Sequence, residues 1–77
     1  MTKFEKLIIN MRHNPKDWHI EDLFSIAKRY GIIWKQNGTS HVVFRFQNSA
    51  FPVPAKRPIK PIYIIEFLKR IEENYGL

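Results

Sequence analysis

Asn37-Gly38 stands between two segments whose side chains alternate with a period of two. Both residues tolerate positive φ, so the pair favours a type I′ turn and commits its flanks to an antiparallel hairpin. Ile32-Ile33-Trp34-Lys35-Gln36 on the approach is β-branched and aromatic and reads as a strand. On the return, Val42, Phe44 and Phe46 point one way while His41, Val43, Arg45 and Gln47 point the other. A two-residue loop sets Trp34 opposite His41 and Ile33 opposite Val42. Trp34, His41 and Arg45 then share a face left open by the core-directed trio.

Gln47-Asn48-Ser49 makes a second turn into Ala50-Phe51-Pro52-Val53-Pro54. The alternate prolines lose their N–H groups on one side of the ribbon. That side cannot be paired, so this third strand lies at a sheet edge, with Phe51 and Val53 donating inward.

The rest of the chain has helical spacing. Phe4, Leu7, Ile8 and Met11 fall at i, i+3, i+4 and i+7, and Thr2 with Glu5 has capping-box spacing, so a first helix is expected over 3–12. Pro15 ends it by disfavouring helical geometry at Asn14. Ile20, Leu23, Phe24 and Ala27 mark a second helix over 20–30. Acidic Glu21 and Asp22 come first, Lys28 and Arg29 last, and Gly31 is the C-terminal cap. Pro61 suits the first turn of a third helix with Ile64, Phe67, Leu68 and Ile71 as its buried stripe, leaving 74–77 as a frayed end. The expected architecture is a single α+β domain over residues 1–77, in the order α-α-β-β-β-α, with the helices on one face of a three-stranded antiparallel sheet.

Charge directs attention to polyanions. Thirteen Lys and Arg against seven Asp and Glu leave +6 on 77 residues. Nucleic acid is the first candidate partner, anionic lipid the second and an acidic protein the third. The loop Lys56-Arg57-Pro58-Ile59-Lys60 is the best phosphate-binding candidate, because it runs into a helix start where free N–H groups favour anions. Lys28, Arg29 and Lys35 are candidates to extend that patch. Absence of cysteine excludes disulfides and thiolate metal sites. No apolar run spans a bilayer and MTKFEKLIIN lacks a signal peptide's apolar centre, so a cytoplasmic chain is expected.

Few residues suit catalysis. His41 is either a hydrophilic strand end or an acid–base group, and Trp34 either core or a base-stacking platform. His13 and His19 lie at helix boundaries without the spacing of a metal site, and Thr39 and Ser40 suit turn stabilisation. No phosphate-binding glycine loop or Ser-His-Asp pattern is present.

GTSH followed by VVFRF, then FPVPAKRPIKP, then a helix carrying FLKRIEE, resembles the HicA family of toxins from type II toxin–antitoxin systems. The resemblance is strongest over 31–73, and NPKDWHIEDLFSIAKRYG is similar to the longer members. It implies a double-stranded-RNA-binding-domain-like fold and an endoribonuclease that cleaves mRNA, an mRNA interferase silenced by a HicB-type antitoxin. The family's catalytic histidine follows its Gly-Ser element, a position matched here by His41. Many members read Gly-Ser-His; this chain reads Gly38-Thr39-Ser40-His41, one residue longer, which bears on the length of the turn.

The chemistry needs little machinery, since RNA carries its own nucleophile in the 2′-hydroxyl. One imidazole to take the proton and fixed cations to hold the phosphate suffice, and no metal or other cofactor is expected. The residues expected to touch RNA are Trp34, Lys35, Gly38, Ser40, Arg45, Lys56, Arg57 and Lys60. The alternative is a non-catalytic RNA-binding module of the same fold, in which His41 is only a turn residue.

Overall fold

The computed structural model describes residues 3–38 and 40–76. Its elements run α1 (Lys3–His13), α2 (Ile20–Tyr30), β1 (Ile33–Asn37), β2 (His41–Arg45), β3 (Ala50–Pro54) and α3 (Pro61–Tyr75). This is the α+β order expected from the hydrophobic periodicity. The sheet order is β1-β2-β3, antiparallel throughout, so β2 is central and proline-bearing β3 is an edge. Pairing continues one step past β3, where the Ala55 N–H donates to the Ser40 carbonyl at 2.8 Å. Ala55 shares strand parity with Phe51 and Val53, so Pro52 and Pro54 face outward, where a missing N–H costs no ladder bond.

One sheet face carries the core. Val42, Phe44, Phe46, Phe51 and Val53 are buried against Ile8 and Met11 of α1, Leu23, Ile26 and Ala27 of α2, and Ile64, Phe67, Leu68 and Ile71 of α3. Phe44 and Phe67 meet edge to face, with centroids 5.0 Å apart. The Tyr30 ring stacks on Tyr75 at 4.8 Å and meets Phe4 at 5.4 Å, drawing the three helices together at one end. Arg70 ties α3 to the β2–β3 turn. Its Nη1 donates to Ser49 Oγ at 2.8 Å, its Nε donates to Glu66 Oε2 at 3.1 Å, and its guanidinium lies over Phe51.

The capping chemistry is partly as expected. Gly31 closes α2 at φ 71, a left-handed conformation with no Cβ penalty in glycine. At the other end of α2, the His19 backbone N–H donates to Asp22 Oδ2 at 2.8 Å. The Thr2 cap of α1 lies outside the described residues, and so does the Thr39 side chain in the hairpin.

Several boundaries differ from the sequence reading. α1 extends one residue further, to His13, and α3 continues through Tyr75 to a Gly76 cap at φ 68 rather than fraying from Asn74. β1 begins at Ile33, because buried Ile32 uses its N–H on the Ala27 carbonyl at 2.8 Å.

The hairpin register is corrected as well. Asn37 pairs with His41, Lys35 with Val43, Trp34 with Phe44 and Ile33 with Arg45. Three residues, Gly38 to Ser40, connect the strands instead of two. The expected pairing of Trp34 with His41 is thereby displaced by three positions. An odd displacement exchanges the two faces of one strand relative to the other. Trp34 therefore leaves the open face and lies half-buried against the core, stacked on Phe24 at 4.7 Å.

Candidate nucleic-acid interface

His41 begins β2 with its side chain on the bare face of the sheet, exposed to solvent. Its neighbours on that face follow from the ladder, since directly opposed residues in an antiparallel sheet project to the same side. On β3 the residue opposite is Pro54. Ser40 Oγ lies 3.0 Å from His41 Nδ1. That contact engages Nδ1 and leaves Nε2 on the far side of the ring.

Pro54 links the imidazole to the basic loop. The chain leaves β3 at Pro54, passes Ala55, which is hydrogen-bonded back to Ser40, and enters Lys56. A cleft of about 280 Å³ opens there, lined by Pro54, Lys56, Arg57, Pro58, Lys60 and Tyr63. The residue facing His41 across the sheet thus forms one wall of the cationic cleft. His41 itself does not line this cleft; its link to the loop runs through Pro54 and through the Ala55–Ser40 hydrogen bond.

The loop is held from both ends. Ile59, 1% exposed, plugs into the core, and its N–H donates to the Trp18 carbonyl at 2.8 Å. Trp18 is itself fixed by its Nε1–H, which donates to the Asn14 carbonyl at 2.6 Å. Arg57 donates from Nη2 to Glu21 Oε2 at 2.6 Å, tying the loop to the first turn of α2. The Glu21 carboxyl is held below its usual range, first by a backbone hydrogen bond at its own residue and, against the opposing effect of desolvation, further by Arg57. Lys56 and Lys60 are exposed and form none of the salt bridges found among the described residues.

The remaining expected residues divide by position. Lys35 and Arg45 do lie on the open face, opposite Val43 and Ile33 respectively. Arg45, four residues along the strand from His41, stands about 13 Å away, so the two serve different parts of an extended ligand. Gly38 sits in the connection at φ 71 with open space where a side chain would begin, a conformational role. Trp34 is absent from the open face, as described above. Lys28 and Arg29 close α2 at the far end of the sheet. Lys28 lines a shallow hollow with Ile33, and the Arg29 guanidinium lies over Phe4 at 5.3 Å, so neither extends the loop patch.

Three participants were missed. Tyr63 lines the cleft from the first turn of α3, the ion-pair partner of Arg57 is Glu21, and Ile59 is the anchor that fixes the lysines. Tyr63 had a sequence signal, because it falls just off the Ile64–Phe67–Leu68–Ile71 stripe in the turn that follows the basic loop. Glu21 had none, since 36 positions separate it from Arg57.

Chemically, the arrangement presents one exposed imidazole on the sheet and, beyond Pro54, a cleft with two lysines that form no salt bridge among the described residues and a half-buried aromatic ring. Among the described residues no three His, Asp or Glu side chains come together as metal ligands, and none of the helices is long and apolar enough to cross a membrane. Comparison with family models, with curated proteins and with solved structures found no match to the chain.

Proposed function

We propose that the chain is a HicA-like toxin, an endoribonuclease that cleaves mRNA with His41 as the proton-transfer group. The supporting observation is the junction at Pro54. An exposed imidazole on β2 stands across the ladder from the residue that walls a cleft containing Lys56, Arg57 and Lys60. A phosphate held at the cleft mouth by these cations would bring its neighbouring ribose beside the imidazole.

The chemistry uses the substrate's own 2′-hydroxyl. In the tautomer that carries its proton on Nδ1, His41 donates to Ser40 Oγ, and the Nε2 lone pair then accepts the 2′-hydroxyl proton as the oxygen attacks the adjacent phosphorus. The P–O5′ bond then breaks, giving a 2′,3′-cyclic phosphate and a 5′-hydroxyl, and the loop cations stabilise the charge accumulated on the phosphoryl oxygens. Proton transfer of this kind contributes about 10²–10⁴-fold. Water supplies the proton for the leaving oxygen in this scheme.

The silencing partner in this reading is a HicB-type antitoxin covering His41. Ile33, 72% exposed beside Lys35 and Arg45 on the same face, suits a partner with an apolar contact ringed by carboxylates.

The test is cleavage of a single-stranded RNA by His41→Ala protein that retains its fold and its RNA affinity. Loss of cleavage supports the proposal. Undiminished cleavage contradicts it, and failure of the wild-type protein to cleave leaves the non-catalytic RNA-binding module as the reading of the same surface.

A further inference from the structure

The cleft beside Pro54 differs in character from the sheet face. It is lined by two prolines, the half-buried Tyr63 and the cations Lys56, Arg57 and Lys60, whose long side chains carry apolar stems behind their charged ends. A bare phosphate site would need no aromatic wall, and a duplex would need a broad surface. At about 280 Å³ the cleft is a small concavity that accommodates one nucleotide. Apolar residues beside cations match a base and its flanking phosphates.

Position adds direction. The cleft begins at the residue opposite His41, and Pro58 and Lys60 form its boundary with a second depression lined by Lys16, Asp17 and Ile59. Basic residues therefore recur around the loop, from Lys56 through Lys60 to Lys16, with Asp17 beside the last. Tyr63 is rigidly presented, because Ile59 and the Pro61 turn fix the backbone on either side of Lys60.

We propose that this cleft is a nucleotide subsite for single-stranded RNA. A base next to the cleaved phosphate packs on Tyr63, while Lys56 and Lys60 hold its flanking phosphates. The inference rests on the ribonuclease reading and narrows it, because a base can enter the cleft only when unpaired. Its substrate is therefore an unpaired strand, although double-stranded-RNA-binding-like folds suggest duplex.

Binding separates this inference from catalysis. A short fluorescently labelled 2′-O-methyl RNA, which cannot be cleaved through its 2′-oxygen, is titrated by anisotropy as a single strand and as a duplex. Tyr63→Leu is expected to weaken single-strand binding about tenfold, within the 1–3 kcal/mol per base typical of stacking, and to leave duplex binding unchanged. Tyr63→Phe, which keeps the ring, is expected to stay within about twofold of wild type, and Lys56→Ala or Lys60→Ala to lower the slope of log affinity against log salt by about 0.7 each. In the unmodified protein, the Tyr63 ring protons are expected to move upfield when the single strand is added. Wild-type affinity in a folded Tyr63→Leu protein, equal weakening for duplex and single strand, or unmoved Tyr63 resonances would each overturn the subsite. The cleavage assay of His41→Ala is independent of all three.

Discussion

His41 and Pro54 face each other across the β2–β3 ladder, and Pro54 is also a wall of the cleft that holds Lys56 and Lys60. Two alternate prolines make β3 an edge. The chain then leaves that edge beside the imidazole and places its basic loop there. The position of the cations is in this way a consequence of the same residues that terminate the sheet.

Ser40 is expected to position the imidazole rather than react. Removing its hydroxyl in Ser40→Ala frees the ring to rotate, and cleavage should fall several-fold, well short of the loss of about 10²-fold or more expected for His41→Ala. Ser40→Thr, which retains the hydroxyl, should restore much of it. Rescue by the conservative variant checks the assignment, because threonine keeps the hydroxyl that contacts Nδ1 whereas alanine does not.

Trp34 is expected to matter for stability and not for RNA. Trp34→Ala removes a ring stacked on Phe24 and tilted against Phe44, costing about 2 kcal/mol for a half-buried aromatic. In a domain this small that lowers Tm by roughly 8–16 °C. Denaturation and anisotropy on the same preparations check it, and RNA affinity below the melting transition should match wild type.

That prediction reverses the placement read from the sequence, and the reason is local. Periodicity located all six elements, because each has to bury one stripe. Register is different, since it depends on the number of residues in the turn. Asn37-Gly38 alone satisfies a two-residue loop, whereas the chain closes through Gly38, Thr39 and Ser40. The ladder moves by three and Trp34 changes face. His41 kept its place because its face was set within β2 by Val42, Phe44 and Phe46. The bond between Arg57 and Glu21 and the seat of Ile59 beneath Trp18 join distant segments and had no local signature.

Gly38 provides a separate test of conformation against contact. At φ 71 with nothing within reach of an added Cβ, Gly38→Ala should cost about 1 kcal/mol through backbone strain alone, and Gly38→Asn should cost less because asparagine visits that region. Chemical denaturation of the two variants checks the order. Equal and near-zero costs would contradict it.

Glu21 restrains Arg57, so Glu21→Gln should release the guanidinium toward the cleft and raise RNA affinity several-fold at low salt, with a steeper salt dependence. The pH dependence has a definite sign. A carboxyl held below its usual 4.5 keeps the link intact above that value and loses it only as pH falls through the lower, folded-state value. NMR titration of Glu21 alongside the Arg57 side chain checks both statements. Weaker binding by Glu21→Gln would mean that Arg57 acts only where Glu21 holds it.

The most direct measurement is single-turnover cleavage of a single-stranded RNA by wild-type and His41→Ala protein, with binding of a non-cleavable strand measured in parallel. The side chain is exposed, so the substitution should leave Tm and affinity near wild type while the rate falls by about 10²-fold or more, with wild-type products ending in a 2′,3′-cyclic phosphate. A His41→Ala protein that cleaves at the wild-type rate would contradict the assignment of the proton transfer to this imidazole.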